Sequence, residues 1–103
     1  MKDISVVERW LNSGKQIGKT FSFEKDGQVC WSSVGVQLWN GRYKVHIDEV
    51  LESNMTSEEY DKELTESFTQ LSLVEEYILS NSRTQLVHLM PCKGQKIFNP
   101  EFN

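Results

Sequence analysis

The chain has 103 residues, the length of one domain, and its eleven basic and fifteen acidic residues give a formal net charge of −4. This balance argues against a general nucleic-acid binder and against docking on an anionic membrane. No apolar run approaches the roughly 18–20 residues that span a bilayer, and residues 1–5 lack the apolar core of a secretory signal. We therefore expect a single acidic, cytoplasmic domain over residues 1–103.

The chain opens with a predicted short helix. Ile4, Val7 and Leu11 fall on one face at helical spacing, and Asp3 is placed to cap the first turn. Asn12-Ser13-Gly14 is expected to end the helix, because glycine suits the left-handed position that follows a helix C-terminus.

The first predicted hairpin turns at Asp26-Gly27, between two segments that alternate apolar and polar residues. A two-residue loop would put the large apolar side chains of its two strands on opposite faces. We expect instead a three-residue loop over residues 25–27, which keeps them on one face. The pairs it predicts are Phe23 with Val29 and Phe21 with Trp31.

The second predicted hairpin is the strongest local signal in the chain. Asn40-Gly41 suits the two positive-φ positions of a type I′ turn, and alternating apolar residues flank it. A two-residue loop gives three apolar pairs: Leu38 with Tyr43, Val36 with Val45, and Val34 with Ile47. The opposite face would carry Gln37, Trp39, Arg42, Lys44, His46 and Asp48. The apolar residues are odd-numbered at 29 and 31 but even-numbered at 34, 36 and 38. A bulge or bend is therefore expected between them, at Ser32-Ser33.

Residues 56–80 are predicted to be helical. Thr56-Ser57-Glu58-Glu59 has the pattern of a capping box. A stripe at helical spacing follows, made of Tyr60, Leu64, Phe68, Leu71, Val74 and Ile78. The pattern fits one long helix to Ser80, or two helices with a break at residues 69–72 and a second capping box at Ser72 and Glu75.

The tail completes the predicted fold. Residues 85–90 form an apolar run that fits a strand or a turn, and Lys96-Ile97-Phe98 predicts a short final strand. The expected class is α+β: an antiparallel β-meander of about four to five strands, with an N-terminal helix and one or two helices packed on one face.

No motif for catalysis or metal binding stands out. The closest pair of ligand types is His88 and Cys92, with Pro91 between them, and the scattered glycines form no phosphate-binding loop. We expect no catalytic residue, no metal and no cofactor. Cys30 is predicted to be buried and Cys92 exposed and somewhat reactive, both as reduced thiols. His46 is predicted to be an ordinary histidine on the sheet surface.

The charges are unevenly distributed. Residues 48–76 hold ten acidic residues and one lysine, a local charge of −9 against +5 for the remainder. A solvated face is the commoner reason for such a stretch, and a docking surface for a basic protein is the alternative. Trp and Arg are enriched at contact hot spots. The predicted partner-binding residues are Trp39, Arg42, Asp48, Glu49, Glu52, Glu58, Glu59, Asp61, Glu63 and Glu66.

Three segments that follow the predicted N-terminal helix define the order of elements along the chain. They are Asn40-Gly41-Arg42-Tyr43-Lys44-Val45, Thr56-Ser57-Glu58-Glu59-Tyr60 and Lys93-Gly94-Gln95-Lys96-Ile97-Phe98-Asn99-Pro100. The layout resembles that of the small acidic immunity proteins that bacteria make against polymorphic or contact-dependent growth-inhibition toxins. The resemblance implies a one-to-one complex with a cognate basic toxin domain, often a nuclease, whose active site is blocked. It carries over no individual functional residue.

Two other functions are also compatible with the sequence. One is a phage-type inhibitor that mimics nucleic acid with its acidic stretch. The other is a small enzyme or ligand-binding domain that uses Cys92, His46 or His88. Neither nucleic acid nor a membrane is expected as the partner.

Overall fold

Two short helices lie on one face of a five-stranded antiparallel sheet in the computed structural model of the protein, which describes residues 4–55, 57, 60–94 and 96–101. The helices are α1 (Ile4–Asn12) and α2 (Leu71–Asn81). The strands are β1 (Ile17–Lys25), β2 (Gln28–Trp39), β3 (Arg42–Leu51), β4 (Lys62–Phe68) and β5 (Met90–Pro91). Their order in the sheet is β4-β3-β2-β1-β5, which confirms the predicted α+β class. No described helix is long and apolar enough to cross a membrane.

The face of the sheet that the helices cover, called here the helix face, holds the hydrophobic core. Val7 and Leu11 of α1 are buried there, as the helical spacing predicted, and Gly14 has the expected positive φ of 88°. Asp3, the predicted cap, lies outside the described residues. The other buried apolar side chains of the core are Ile17, Val34, Val36, Val45, Ile47, Val74, Ile78, Leu86 and Leu89.

The second hairpin forms as predicted. Asn40 and Gly41 have φ values of 50° and 78°, and the two-residue turn joins β2 directly to β3. All three predicted apolar pairs are present: Leu38 with Tyr43, Val36 with Val45, and Val34 with Ile47. The register is set locally, because Asn-Gly fixes the turn and the alternation fixes which face is buried.

The predicted register of the first hairpin is wrong. Asp26 and Gly27 have φ values of 53° and 75°, so they form the same kind of two-residue turn, and Phe23 pairs with Cys30. The even-numbered residues of β2 then stay on the helix face along the whole strand. No bulge is therefore needed at Ser32-Ser33, which pair in continuous register with β3. The apolar residues Val29 and Trp31 point to the opposite face instead.

Residues 62–68 form strand β4, not the predicted helix. Leu64 and Phe68 are four residues apart, a spacing that fits one helical turn and also two periods of strand alternation. Beside β3, Leu64 pairs with Ile47 and Phe68 with Tyr43, so both side chains reach the core. A strand gains ladder hydrogen bonds with β3 there, which a helix over the same residues could not make.

Helix α2 begins only at Leu71, close to the predicted break. Its N-cap is Gln70, which makes no capping bond with its side chain, so Ser72 and Glu75 do not form the second capping box. Thr56, Glu58 and Glu59 of the first capping-box pattern lie outside the described residues.

The opposite face of the sheet is covered by the end of the chain. We call residues 92–94 and 96–101 the C-terminal strap, and the face beneath it the strap face. Ile97 and Phe98 do not form the predicted strand but lie over Gly18 and Gly35, which pair across β1 and β2. A Cβ on Gly18 would meet the side chain of Ile97 and stand 2.7 Å from the Val34 carbonyl oxygen. The two glycines therefore leave the space that the strap occupies.

Gln16, in the loop before β1, ties the strap to the sheet. Its Nε2 donates to Gln37 Oε1 and to the carbonyl oxygen of Phe98, both at 2.9 Å. Its Oε1 accepts the N–H of Ile97 at 2.7 Å and that of Phe98 at 3.4 Å. Gln16 is only 5% exposed. If its amide were removed, few of the groups that it bonds could form a hydrogen bond with water instead.

We expect Gln16→Leu to lower the free energy of unfolding by about 2 kcal/mol or more, because Gln37 and two strap N–H groups lose a buried partner. Urea unfolding measures the loss, and hydrogen exchange at Ile97 and Phe98 locates it. Gln28→Leu, at an exposed glutamine of β2, is the control. Equal stability of the two variants, with unchanged exchange at the strap, would contradict this role for Gln16.

We expect Gly41→Val to cost about 1 kcal/mol or more, because a β-branched residue resists the positive φ of this turn. No atom stands within 4 Å of a Cβ built on Gly41, so the cost comes from the backbone alone. Arg42→Val, at the next, exposed strand position, is the control because strands accept β-branched residues. Identical unfolding midpoints for the two variants would argue against the turn.

Candidate functional site

His46 and Asp48 form a polar pair on the strap face of β3. His46 Nε2 lies 2.8 Å from Asp48 Oδ2, and Asp48 Oδ1 accepts the backbone N–H of Ser33 at 3.2 Å. The His46 ring stacks on the Phe98 ring, with centroids 5.6 Å apart and an interplanar angle of 11°. The side chains of His46 and Asp48 are only 12% and 13% exposed. The prediction of a surface histidine is therefore wrong, because the strap covers this part of the sheet.

A pocket of about 590 Å³ opens beside this pair, between β4 and the strap. Sheet residues form its floor, the strap forms one wall and Tyr60 contributes a second aromatic ring. The lining residues are His46, Asp48, Tyr60, Glu63, Thr65, Ile97 and Phe98. Sequence reasoning found only His46, Asp48 and Glu63 of this set, and had no means of placing the strap beside them.

The sheet register brings two carboxylates together in this pocket. Asp48 of β3 pairs directly with Glu63 of β4, and His46 pairs with Thr65, so all four side chains project from the strap face. Asp48 is held by His46 and Ser33, while Glu63 is exposed. Among the residues that the structure describes, no lysine or arginine lines the pocket. Like charges directly opposite each other on neighbouring strands destabilise a sheet, so the arrangement favours a cationic ligand.

Trp39 and Arg42 pair with each other at the end of the β2–β3 hairpin, on the strap face as predicted. Arg42 is exposed, and Trp39 is half-buried. Trp39 borders a second, shallower cavity of about 540 Å³, whose other lining residues belong to the strap: Lys96, Phe98, Asn99, Pro100 and Glu101. The strap, and not a helix, therefore covers the predicted polar face.

Besides Asp48, two more of the predicted acidic residues make contacts within the chain. Glu49 is buried on the helix face, where its Oε2 accepts the Nε–H of Arg83 at 3.1 Å. The Arg83 guanidinium also lies 3.9 Å from the centre of the Phe23 ring. Glu52 is exposed and accepts the indole N–H of Trp31 at 3.2 Å. Glu49 is thus poorly placed to meet a partner, and Glu52 is accessible.

The remaining described acidic residues of the predicted set lie on β4 or directly before it. Asp61, Glu63 and Glu66 are exposed, with Glu63 on the strap face and Glu66 on the helix face. Burial raises the pKa of Tyr77 on α2, and the negative charge of Glu66 raises it further. This effect places the Glu66 carboxylate close to α2. Glu58 and Glu59 lie outside the described residues.

The two cysteines and the histidines belong to no metal-binding cluster within the described part of the chain. No three His, Cys, Asp or Glu side chains come together there in an arrangement that could hold a metal ion. Cys30 is 1% exposed. Cys92 is half-buried and not exposed as predicted, and burial raises the pKa of its thiol although the Ile97 N–H opposes the shift. A raised pKa lowers the thiolate fraction at neutral pH, which argues against a nucleophilic role.

We expect iodoacetamide to alkylate Cys92 several-fold more slowly than an unfolded cysteine at about pH 8, because less of the thiol is ionised and part of it is covered. Cys30 should react only on unfolding. Mass spectrometry of the native protein follows both sites, with the urea-denatured protein as the control. Rapid alkylation of native Cys92 would contradict its partial burial.

The described residues thus offer a cation-favouring pocket and an acidic outer strand as the features able to bind another molecule. No protein-family model matches the chain, and no curated protein or solved structure matches it.

Proposed function

We propose that the protein binds and neutralises a basic protein partner, acting in the cytoplasm as an immunity protein that covers the active site of a cognate toxin domain. The observation that carries the proposal is the group of exposed carboxylates on, or directly before, the outermost strand β4, which project from both faces of the sheet. We call Asp61, Glu63 and Glu66 the acidic edge.

The acidic edge is open to solvent and carries little compensating charge. Strand β4 pairs with β3 on one side only, so its other side faces outward. Lys62 is the one base between Asp61 and Phe68, and its Nζ donates to the carbonyl oxygen of Asn81 at 3.0 Å. Among the described residues, Arg83 forms a salt bridge with Glu49 and His46 hydrogen-bonds to Asp48, and neither contact involves a carboxylate of the acidic edge.

A concentrated field of one sign accelerates encounter with a partner of the opposite sign. The effect depends on ionic strength, because the Debye length falls from about 10 Å at 0.1 M salt to about 3 Å at 1 M. The charges act mainly on the association rate, whereas the lifetime of a complex depends on buried anchors. Trp39 and Arg42 remain the predicted anchors, and truncating Trp39 should mainly raise the dissociation rate.

The partner can be isolated on the tagged protein from its native host, where one dominant basic protein is expected. We then expect the double reversal Asp61→Lys with Glu66→Lys to slow stopped-flow association by about tenfold at low salt, with a smaller change in dissociation. The difference should largely vanish at about 1 M salt, where exposed charges are screened. The wild-type protein should also restore growth of cells that express the partner.

Glu8→Lys with Glu24→Lys provides the matched control. It changes the net charge equally, but Glu8 lies on α1 and Glu24 on β1, away from the acidic edge. The control should associate nearly as fast as the wild type. Equal slowing by both double variants, or association indifferent to salt, would mean that the acidic edge is only a solvated surface.

A further inference from the structure

We propose that the pocket between β4 and the strap binds the guanidinium group of an arginine side chain of the basic partner. The inference rests on the proposed function, because that partner supplies the arginine. The pocket would hold one positive side chain in direct contact, whereas the acidic edge attracts a basic partner at longer range.

The charge within the pocket calls for a cation. Asp48 and Glu63 stand directly opposite each other on β3 and β4, and none of the described lysines or arginines lines the cavity. A cation placed between them would offset the repulsion of the two carboxylates. The described side chains form no three-residue metal cluster, so an organic cation fits the site better than a metal ion.

The walls favour a flat cation. The Phe98 ring lies on one side and Tyr60 also lines the cavity, so that a positive group inside it has aromatic neighbours. A guanidinium is planar, stacks on aromatic rings and is more weakly hydrated than an ammonium. Its fork of N–H donors matches carboxylates, and the hydroxyl of Thr65 offers a further acceptor.

The Asp48 carboxylate, at the floor of the pocket, is already held in one orientation. Asp48 is held by His46 at 2.8 Å and by the Ser33 N–H at 3.2 Å, and the Phe98 ring covers His46. The strap that carries Phe98 is fixed in turn by Gln16. A volume of about 590 Å³ lies within the range of pockets that bind small ligands. An arginine side chain can therefore enter without rearrangement of the sheet.

N-acetyl-arginine methylamide is the probe, added to the ¹⁵N-labelled protein and followed by two-dimensional NMR. We expect saturable shifts at the amides of His46, Glu63 and Thr65, with a Kd on the order of 1–10 mM for so small a ligand. The citrulline analogue has nearly the same shape without the charge and should not bind. The lysine analogue should bind more weakly than the arginine probe.

Glu63→Gln should weaken binding of the arginine probe by about two- to fivefold, the range for an exposed ion pair. Glu66→Gln is the matched control, because Glu66 is an exposed glutamate of the same strand on the opposite face. It should leave the Kd unchanged.

Four results would overturn the proposal. They are no shift at these amides up to about 50 mM probe, equal binding of the citrulline analogue, equal binding of the lysine analogue, and equal weakening by Glu63→Gln and Glu66→Gln. The proposed function fails separately. If partner association ignores salt and reversal of the acidic edge while the arginine probe still binds, the pocket stands and the immunity function falls.

Discussion

The side-chain amide of Gln16 fixes the C-terminal strap, and the strap turns one face of the sheet into a site. All the hydrogen-bonding groups of this amide are used, two donors toward Gln37 and Phe98 and an acceptor toward the strap N–H groups. Without the strap, His46 would lie on an open sheet and the pocket would lack its Phe98 wall. A residue before the first strand thus helps to shape a pocket beside the third and fourth strands.

The parts of the fold that could be predicted are those that depend on neighbours in sequence. Asn40-Gly41 determines its hairpin because the turn and the alternation both lie within a few residues. Strand β4 was missed because Leu64 and Phe68 satisfy both periods, and only the presence of β3 decides between them. The first hairpin was misjudged because large residues were assumed to share a face, whereas Trp31 reaches the strap face and bonds Glu52.

The site was harder to predict than the fold, because closeness in sequence does not keep charges together in a sheet. Alternation sends Asp48 to the strap face and its neighbour Glu49 to the helix face, where Arg83 pairs with it. Asp48 instead meets Glu63, fifteen residues further along. One signal was present in the sequence. Gly18 and Gly35 fall inside strands, and a glycine in a strand often marks close approach by another segment.

The acidic edge and the pocket differ in range, so in the proposed complex they would serve two stages of one binding event. The edge charges are exposed and act over about a Debye length, so they would raise the rate at which the proposed basic partner encounters the protein. The pocket acts only at contact, where aromatic walls and a held carboxylate exclude part of the water around a cation. Because Asp48 and Phe98 are fixed before the partner arrives, less ordering entropy is lost on binding. A site built this way would slow dissociation, an effect that the exposed charges alone would produce only weakly.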